Sequence, residues 1–210
     1  MRLEMYKNII TLLFILQSLR AQILRFGKCV DVKTMDYFQI DKFLGKWYVI
    51  EEFPVWYEEN GHCAYKVFDL CGRRVTIQNG YVRNNIEYVL HINSSYSSGD
   101  EAVFNIEKNN IDPVGMPLSV ISTDYTNYSL LYGCRLNDNL QLKYISAWIL
   151  SRNVTLSADI LETAYRELNS LPDASSGYLK SVNHSDSMCT YQWTADVHAV
   201  NTNSIKDFVN

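Results

Sequence analysis

The sequence has no cluster of lysine or arginine residues that would form a basic surface. Its 19 basic and 23 acidic side chains give a formal net charge of −4 at pH 7. Because nucleic-acid binding depends on basic side chains that neutralise phosphates, we expect no nucleic-acid partner. Alanine is also scarce, whereas tyrosine occurs 15 times. This balance favours strands over helices.

The patterns that mark common metal and enzyme sites are missing as well. No Cys-x-x-Cys pair occurs, and the four histidines (His62, His91, His184 and His198) are scattered along the chain. We therefore expect no metal site and no required cofactor. No glycine-rich phosphate loop and no Ser–His–Asp spacing is present, so we predict no catalytic residues.

Long apolar runs are absent after the first 20 residues. Residues 9–19 are almost wholly apolar, follow Arg2 and Lys7, and precede Arg20-Ala21. A basic start, a short apolar core and a small residue are typical of a secretory signal peptide. We predict a signal peptide at 1–21 and a secreted, extracellular protein, for which five cysteines are ordinary. We predict no transmembrane segment, and the polar residues 201–210 argue against a lipid-anchor signal.

Short strand-like runs make up most of the remaining chain. Turn residues such as Asn79-Gly80 and Asp112-Pro113 separate them. The pattern is typical of a sandwich or a barrel and does not distinguish the two. The eight predicted strands cover 47–50, 63–70, 73–78, 85–92, 101–107, 118–122, 128–136 and 140–150.

One amphipathic helix is predicted near the end of the chain. Ser157 is a good N-cap, and apolar residues from Ile160 to Leu168 recur at helical spacing. A helix of this kind packs one face on a sheet. Beyond Cys189 the chain is polar, so we expect residues 190–210 to be a flexible tail with little fixed structure.

Three separated motifs together resemble those of the lipocalin family. They are Gly45-Lys46-Trp47-Tyr48, Thr123-Asp124-Tyr125 and Ala147-Trp148-Ile149-Leu150-Ser151-Arg152. Phe26-Gly27-Lys28-Cys29 and Tyr132-Gly133-Cys134 narrow the resemblance to the apolipoprotein D, insecticyanin and Lazarillo-like group. The likeness runs from about Gly27 to Cys189 and implies a lipocalin domain at 22–189. It implies an all-β fold: an eight-stranded antiparallel up-and-down barrel with one C-terminal α-helix packed on the outside.

The resemblance also implies how one end of the barrel is closed and how the cysteines pair. Arg152 is expected to lie over Trp47, with Gly45 and Asp124 nearby. The implied disulfides are Cys29–Cys134 and Cys63–Cys189, a pairing that the sequence alone leaves open. Cys71 then remains a free thiol that could link to a partner protein.

Strand alternation predicts which side chains face the interior. If Arg152 and Trp47 point inward, so do Trp148, Glu51 and Phe53, and Trp148 lies about 13 Å from Arg152, at mid-pore. The expected ligand-binding side chains are Val49, Glu51, Phe68, Tyr88, Leu118, Val120, Tyr144, Ser146, Trp148 and Leu150.

The resemblance implies binding and transport of a small hydrophobic ligand: a fatty acid, a sterol or related lipid, or a bilin. It further implies lipid handling and protection against oxidative stress. One alternative is an extracellular protein-interaction or signalling role of the Lazarillo type. The other is a prostaglandin-isomerase type of enzyme with a pore cysteine, which Cys71 fits poorly because it adjoins Gly72 in a predicted turn.

Four N-glycosylation sequons occur, at Asn93, Asn127, Asn153 and Asn183. We favour Asn93 and Asn153, because turns are expected there. Asn127 adjoins the Thr-Asp-Tyr motif, where neighbouring residues are expected to crowd it.

Overall fold

Strands dominate the part of the chain that the computed structural model describes, which is residues 23–53, 61–72, 74–96 and 102–200. The predicted signal peptide lies outside these ranges. The strands are β1 (Ile23–Phe26), β2 (Gly45–Glu52), β3 (His62–Cys71), β4 (Arg74–Arg83), β5 (Ile86–Ser95), β6 (Val103–Ile106), β7 (Leu118–Thr123), β8 (Tyr128–Asn137), β9 (Leu142–Ser151), β10 (Lys180–Ser181) and β11 (Trp193–His198). The helices are α1 (Ile40–Phe43) and α2 (Ala158–Asn169), followed by a 3₁₀ turn (Ser176–Tyr178).

Strands β2 to β9 form a closed barrel. Each pairs antiparallel with the next, and β9 pairs back with β2, so that Val49 lies opposite Leu150. The eight-stranded antiparallel barrel expected from the family resemblance is therefore confirmed. Three short strands are added to this wall: β1 pairs with β9, β10 with β2, and β11 with β5.

Asn79 and Gly80, where a turn was expected, lie in the middle of strand β4 and form no turn. The chain reverses later, at Asn84 and Asn85, whose φ angles of 54° and 59° suit a tight hairpin turn. Gly80 pairs with Tyr65, and a Cβ on Gly80 would lie 2.1 Å from Cζ of the Tyr65 ring. The glycine thus makes room for an aromatic ring on the neighbouring strand.

The two faces of the barrel wall bury different sets of side chains. On β9, Trp148 and Leu150 belong to the interior cluster. Ile149 belongs to a second cluster, which we call the outer cluster and which includes Ala164 and Leu168 of α2. The helix therefore packs on the outside of the barrel, as predicted.

A bulge in β2 reverses part of the predicted alternation. The register with β9 shifts between Val49 and Glu51, so an extra residue moves every later side chain to the other face. The prediction that Glu51 faces the interior is wrong: its carboxylate accepts hydrogen bonds of 2.8 Å from Tyr165 of α2 and from Ser181. Phe53 likewise joins the outer cluster.

Strand β11 lies in the segment where little fixed structure is expected. It runs parallel to β5, with Trp193 opposite Ile86 and His198 opposite His91. Because β6 pairs with β5 only at Ser94 and Ser95, β11 extends the wall where β6 is absent. Val197 and Ala199 pack against the interior cluster from this strand and its end.

Tyrosines around the outer cluster give a prediction for alkaline pH. Burial, and to a smaller extent the Glu51 carboxylate, raises the pKa of Tyr165 to about 12. Burial, and to a smaller extent the Asp173 carboxylate, raises the pKa of Tyr132 to about 12. Since an unfolded tyrosine ionises near pH ~10, their stabilisation is complete below that pH and is lost as the pH rises through about 12. We expect the free energy of unfolding to fall across this window, and to fall less steeply in a Tyr132→Phe/Tyr165→Phe variant. Denaturant unfolding at several alkaline pH values measures both, and equal slopes would contradict the assignment.

Candidate functional site

Arg152 closes one end of the barrel, which we call the closed end. Its guanidinium carbon lies 3.7 Å from the centroid of the Trp47 ring. The guanidinium also donates hydrogen bonds of 2.8–3.2 Å to five backbone carbonyls, those of Lys42, Phe43, Leu44, Lys46 and Tyr125. The side chain thus joins α1, the start of β2 and the β7–β8 turn.

The β7–β8 turn at this end is organised by Asp124. Its carboxylate accepts backbone hydrogen bonds from Thr126, Asn127 and Tyr128 at 2.7–3.0 Å. Burial opposes ionisation of Asp124, but these hydrogen bonds and one from the Asn127 amide outweigh it and lower the pKa of Asp124. Gly45 has a φ of +91°, which lets the chain pass sharply from α1 into β2.

Aromatic rings fill the interior just above the closed end. Phe43 lies 5.0 Å from Phe68 and 5.9 Å from Phe104, and Phe68 lies 5.3 Å from Phe104, all measured between ring centroids. All three side chains are fully buried. This floor leaves the opposite end as the route by which a ligand would enter.

A band of polar side chains crosses the interior at mid-height; its members are Glu52, Lys66, Asn79, Ser146 and Trp148. Lys66 is 1% exposed, donates a 2.8 Å hydrogen bond to Asn79 Oδ1, and lies 4.8 Å from the centroid of the Trp148 ring. Glu52 pairs with Trp148 in the strand register and so shares its face.

Two donors in this mid-barrel band have no hydrogen-bond partner among the described residues. They are Oγ of Ser146 and Nε1 of Trp148, and each side chain is 1% exposed. A buried donor without a partner costs about 1–3 kcal/mol. An acceptor supplied by a ligand would remove that cost.

The opposite end of the barrel, where the β4–β5 and β8–β9 turns lie, forms its mouth. A cavity of about 340 Å³ lies beside the ends of β8 and β9 and is lined by Lys108, Pro113, Val114, Tyr144 and residues 135–139. Ligand pockets in proteins usually measure about 300–1,000 Å³. Tyr144 is thus placed at the mouth and not at mid-height.

Apart from Glu51, which lies outside the barrel, the other predicted ligand-binding residues occupy the interior. Tyr88 packs against the interior cluster and stacks on Tyr81 at 5.2 Å, and Ser146 faces inward by its position between Tyr144 and Trp148. Their contact with a ligand stays a prediction. The members of the interior cluster that were predicted are Val49, Phe68, Leu118, Val120, Trp148 and Leu150.

Sequence reasoning missed the inward positions of Lys66, Asn79 and Glu52. A signal existed for Lys66, because it is two residues from Phe68 and must share its face in an unbroken strand. No such signal existed for Glu52, since its inward position depends on the bulge.

The cysteines pair as the resemblance implies. Cys29 is bonded to Cys134 and Cys63 to Cys189, while Cys71 is free and exposed. A link from Cys71 to another chain stays a prediction. Cys71 is the last residue of β3, beside the closed end, so it does not lie in the pore.

All four sequon asparagines are exposed. Asn93 lies within β5 and not in the turn that was expected there, whereas Asn153 does follow the end of β9. Asn127 donates a 2.7 Å side-chain hydrogen bond to Asp124 Oδ2, which fits the expected crowding.

No helix in the described part of the chain is long and apolar enough to cross a membrane. The model of the lipocalin / cytosolic fatty-acid binding protein family matches residues 44–175. The matched span includes Gly45, Trp47, Asp124 and Arg152 of the closed end and all of the mid-barrel band.

Three characterised proteins are similar to the chain in sequence. Insecticyanin-B of Manduca sexta is 29% identical over 177 residues, covering 80% of this chain and 84% of that protein. The bilin-binding protein of Pieris brassicae is 25% identical, with 80% and 90% covered. Apolipoprotein D of Cavia porcellus is 33% identical over 156 residues, with 67% and 78% covered.

The fold is also similar to that of a solved structure. Insecticyanin from the tobacco hornworm Manduca sexta matches with a TM-score of 0.70 at 23% sequence identity, covering 86% of this chain and 98% of that one. At this identity the likeness concerns the fold alone.

Proposed function

The chain belongs to the lipocalin / cytosolic fatty-acid binding protein family, and on that premise we propose that it is a secreted carrier of one small apolar molecule. The ligand lies in the barrel, above the aromatic floor and below the mouth. Binding transfers apolar surface out of water, which contributes roughly 25 cal/mol per Å².

The observation that carries this proposal is the interior cluster itself. Val49, Val120, Leu131 and Leu150 bring apolar side chains from four strands around Trp148. One end of this interior is sealed by Arg152 and the aromatic floor, so it forms a blind pore that is apolar except at the mid-barrel band. A small hydrophobic molecule is the ligand class that such a pore favours.

Fatty acids, sterols and bilins are the candidate ligands, and the name of the bilin-binding protein supports the last of these. We place the protein in lipid handling and protection against oxidative stress. It acts by binding and release and not as an enzyme, a reading supported by relatives that include apolipoprotein D.

Secretion is supported by the two disulfides and by the apolar run at 9–19. We propose glycans at Asn93 and Asn153.

Trp148 supplies the direct test of this function. We expect a bound retinoid, sterol or fatty acid to quench tryptophan fluorescence, because Trp148 lies in the interior at mid-height. Trp148→Phe is expected to keep most of the stability, to weaken binding about tenfold and to abolish the quenching. Fluorescence titration of both proteins measures the two effects.

The other tryptophans are controls for that titration. Trp47 lies under Arg152 and the side chain of Trp193 is 71% exposed, so neither is expected to respond; Trp56 lies outside the described residues. If Trp148 only fills space, Trp148→Ala costs about 3–5 kcal/mol and leaves or improves room for the ligand. Undiminished quenching and affinity in Trp148→Phe would show that the ligand does not contact this ring.

A further inference from the structure

We infer that the ligand carries an uncharged hydrogen-bond acceptor, a carbonyl oxygen, and that Ser146 and Trp148 bind it in the middle of the barrel. This inference rests on the proposed function, because it names the chemistry of the molecule that the same pore holds. It depends on the two donors that have no protein partner among the described residues, Ser146 Oγ and Trp148 Nε1.

The two donors share one side of the pore. Ser146 and Trp148 are two residues apart on β9, whose pairing with β8 is unbroken from Tyr128 to Asn137. Side chains two residues apart on a strand point to the same face, about 7 Å from each other. Trp148 Nε1 can only donate, so the ligand atom that meets it must accept, and the Ser146 hydroxyl can donate to the same atom.

The charges of the mid-barrel band favour an uncharged acceptor over a carboxylate. Lys66 and Glu52 bring one positive and one negative side chain to this height, and both are at least nine-tenths buried. A carboxylate would add a buried negative charge without a further cation in the band, which is costly. A carbonyl oxygen accepts the same hydrogen bonds at no such cost.

The floor sets the direction of the ligand. Phe43, Phe68 and Phe104 fill the space between the band and the closed end. The apolar part of the molecule must therefore extend from the band towards the mouth, with the carbonyl innermost. Since both donors are shielded from water, interior side chains must shift as this group enters.

Ser146→Ala tests the inference through two effects of opposite sign. Without ligand, the variant is expected to be more stable than the natural protein, with a higher midpoint of denaturant unfolding, because it removes a buried hydroxyl that has no partner. With ligand, it is expected to lose most of the preference for a carbonyl.

The binding experiment compares three probes of equal chain length: an alkane, its methyl ketone and the corresponding fatty acid. Each competes with an environment-sensitive apolar dye for the folded protein. We expect the natural protein to bind the ketone about tenfold more tightly than the alkane, and at least as tightly as the fatty acid. Ser146→Ala and Trp148→Phe should each reduce the tenfold preference to about threefold or less.

Ser129→Ala is the matched control, since Ser129 is also fully buried but donates to the Ser122 carbonyl at 3.2 Å. It is expected to lower stability and to keep the preference for the ketone. Equal binding of ketone and alkane by the natural protein would overturn the inference, as would a preference that survives in both test variants. Tighter binding of the fatty acid than of the ketone would also overturn it. If no probe displaces the dye, or the dye itself does not bind, the proposed function fails first.

Discussion

Arg152→Ala is expected to lower the free energy of unfolding by about 2–5 kcal/mol. The change removes a stacked cation, worth about 0.5–2 kcal/mol, together with hydrogen bonds from a charged donor, worth about 1.5–3 kcal/mol. Five backbone carbonyls of three segments lose their common donor. Denaturant unfolding of the two proteins measures the difference, and ligand affinity is expected to change less than twofold while the protein is folded.

Two other arginine variants separate the causes. Arg166→Ala removes an exposed arginine of α2 that donates a hydrogen bond to Thr163 in its own helix, and is expected to change stability by less than about 0.5 kcal/mol. Arg152→Lys keeps the positive charge but not the planar guanidinium with its several donors, so it should recover only part of the stability lost in Arg152→Ala. A loss of ligand binding with unchanged unfolding would show that Arg152 contacts the ligand.

Removing β11 is the second change with a large expected effect. A chain that ends after Thr190 keeps the Cys63–Cys189 disulfide but loses the six paired residues of β11 and the packing of Val197 and Ala199. We expect stability to fall by roughly 3 kcal/mol or more, because several hydrogen bonds and apolar contacts disappear together. The amides of residues 86–91 that point towards β11, and not those that point towards β4, are expected to exchange with solvent much faster.

A chain that ends after Val200 is the matched control, because it retains β11 and lacks only residues 201–210. It separates the contribution of the strand from that of the last residues. If the shorter chain unfolded at the same denaturant concentration as the longer one, and its β5 amides stayed protected, β11 would contribute nothing to the barrel wall.

The closed end could be predicted from sequence because its residues are tied to distinctive motifs. Trp47, Asp124 and Arg152 each lie in a short pattern whose combination points to one family and thereby to one geometry. Alternation then placed Trp148 correctly, since β9 pairs with β8 without a break. The same rule failed on β2, where the bulge before Glu51 moves the later side chains to the opposite face.

The two other differences have their own physical reasons. The pair Asn79-Gly80 is typical of a turn, but in the structure Gly80 accommodates the Tyr65 ring of the neighbouring strand. Local sequence does not encode such a contact between strands. In β11 and the residue that follows it, Ala195, Val197 and Ala199 alternate with polar residues, yet the pattern is short and its partner strand is remote. Parallel pairing between distant segments leaves almost no trace in the local sequence.

The position of β11 has a consequence for the order in which the molecule folds. Hairpins such as β8–β9 join neighbouring segments and close small loops, so they form quickly. Strand β11 instead meets β5, which leaves the ribosome long before residues 193–198 are made. Until then the free edge of β5 between Ile86 and His91 is a template for pairing with other chains. The nascent protein is therefore exposed to misassembly until residues 193–198 become available to pair with β5, when a nearly complete barrel still lacks β11.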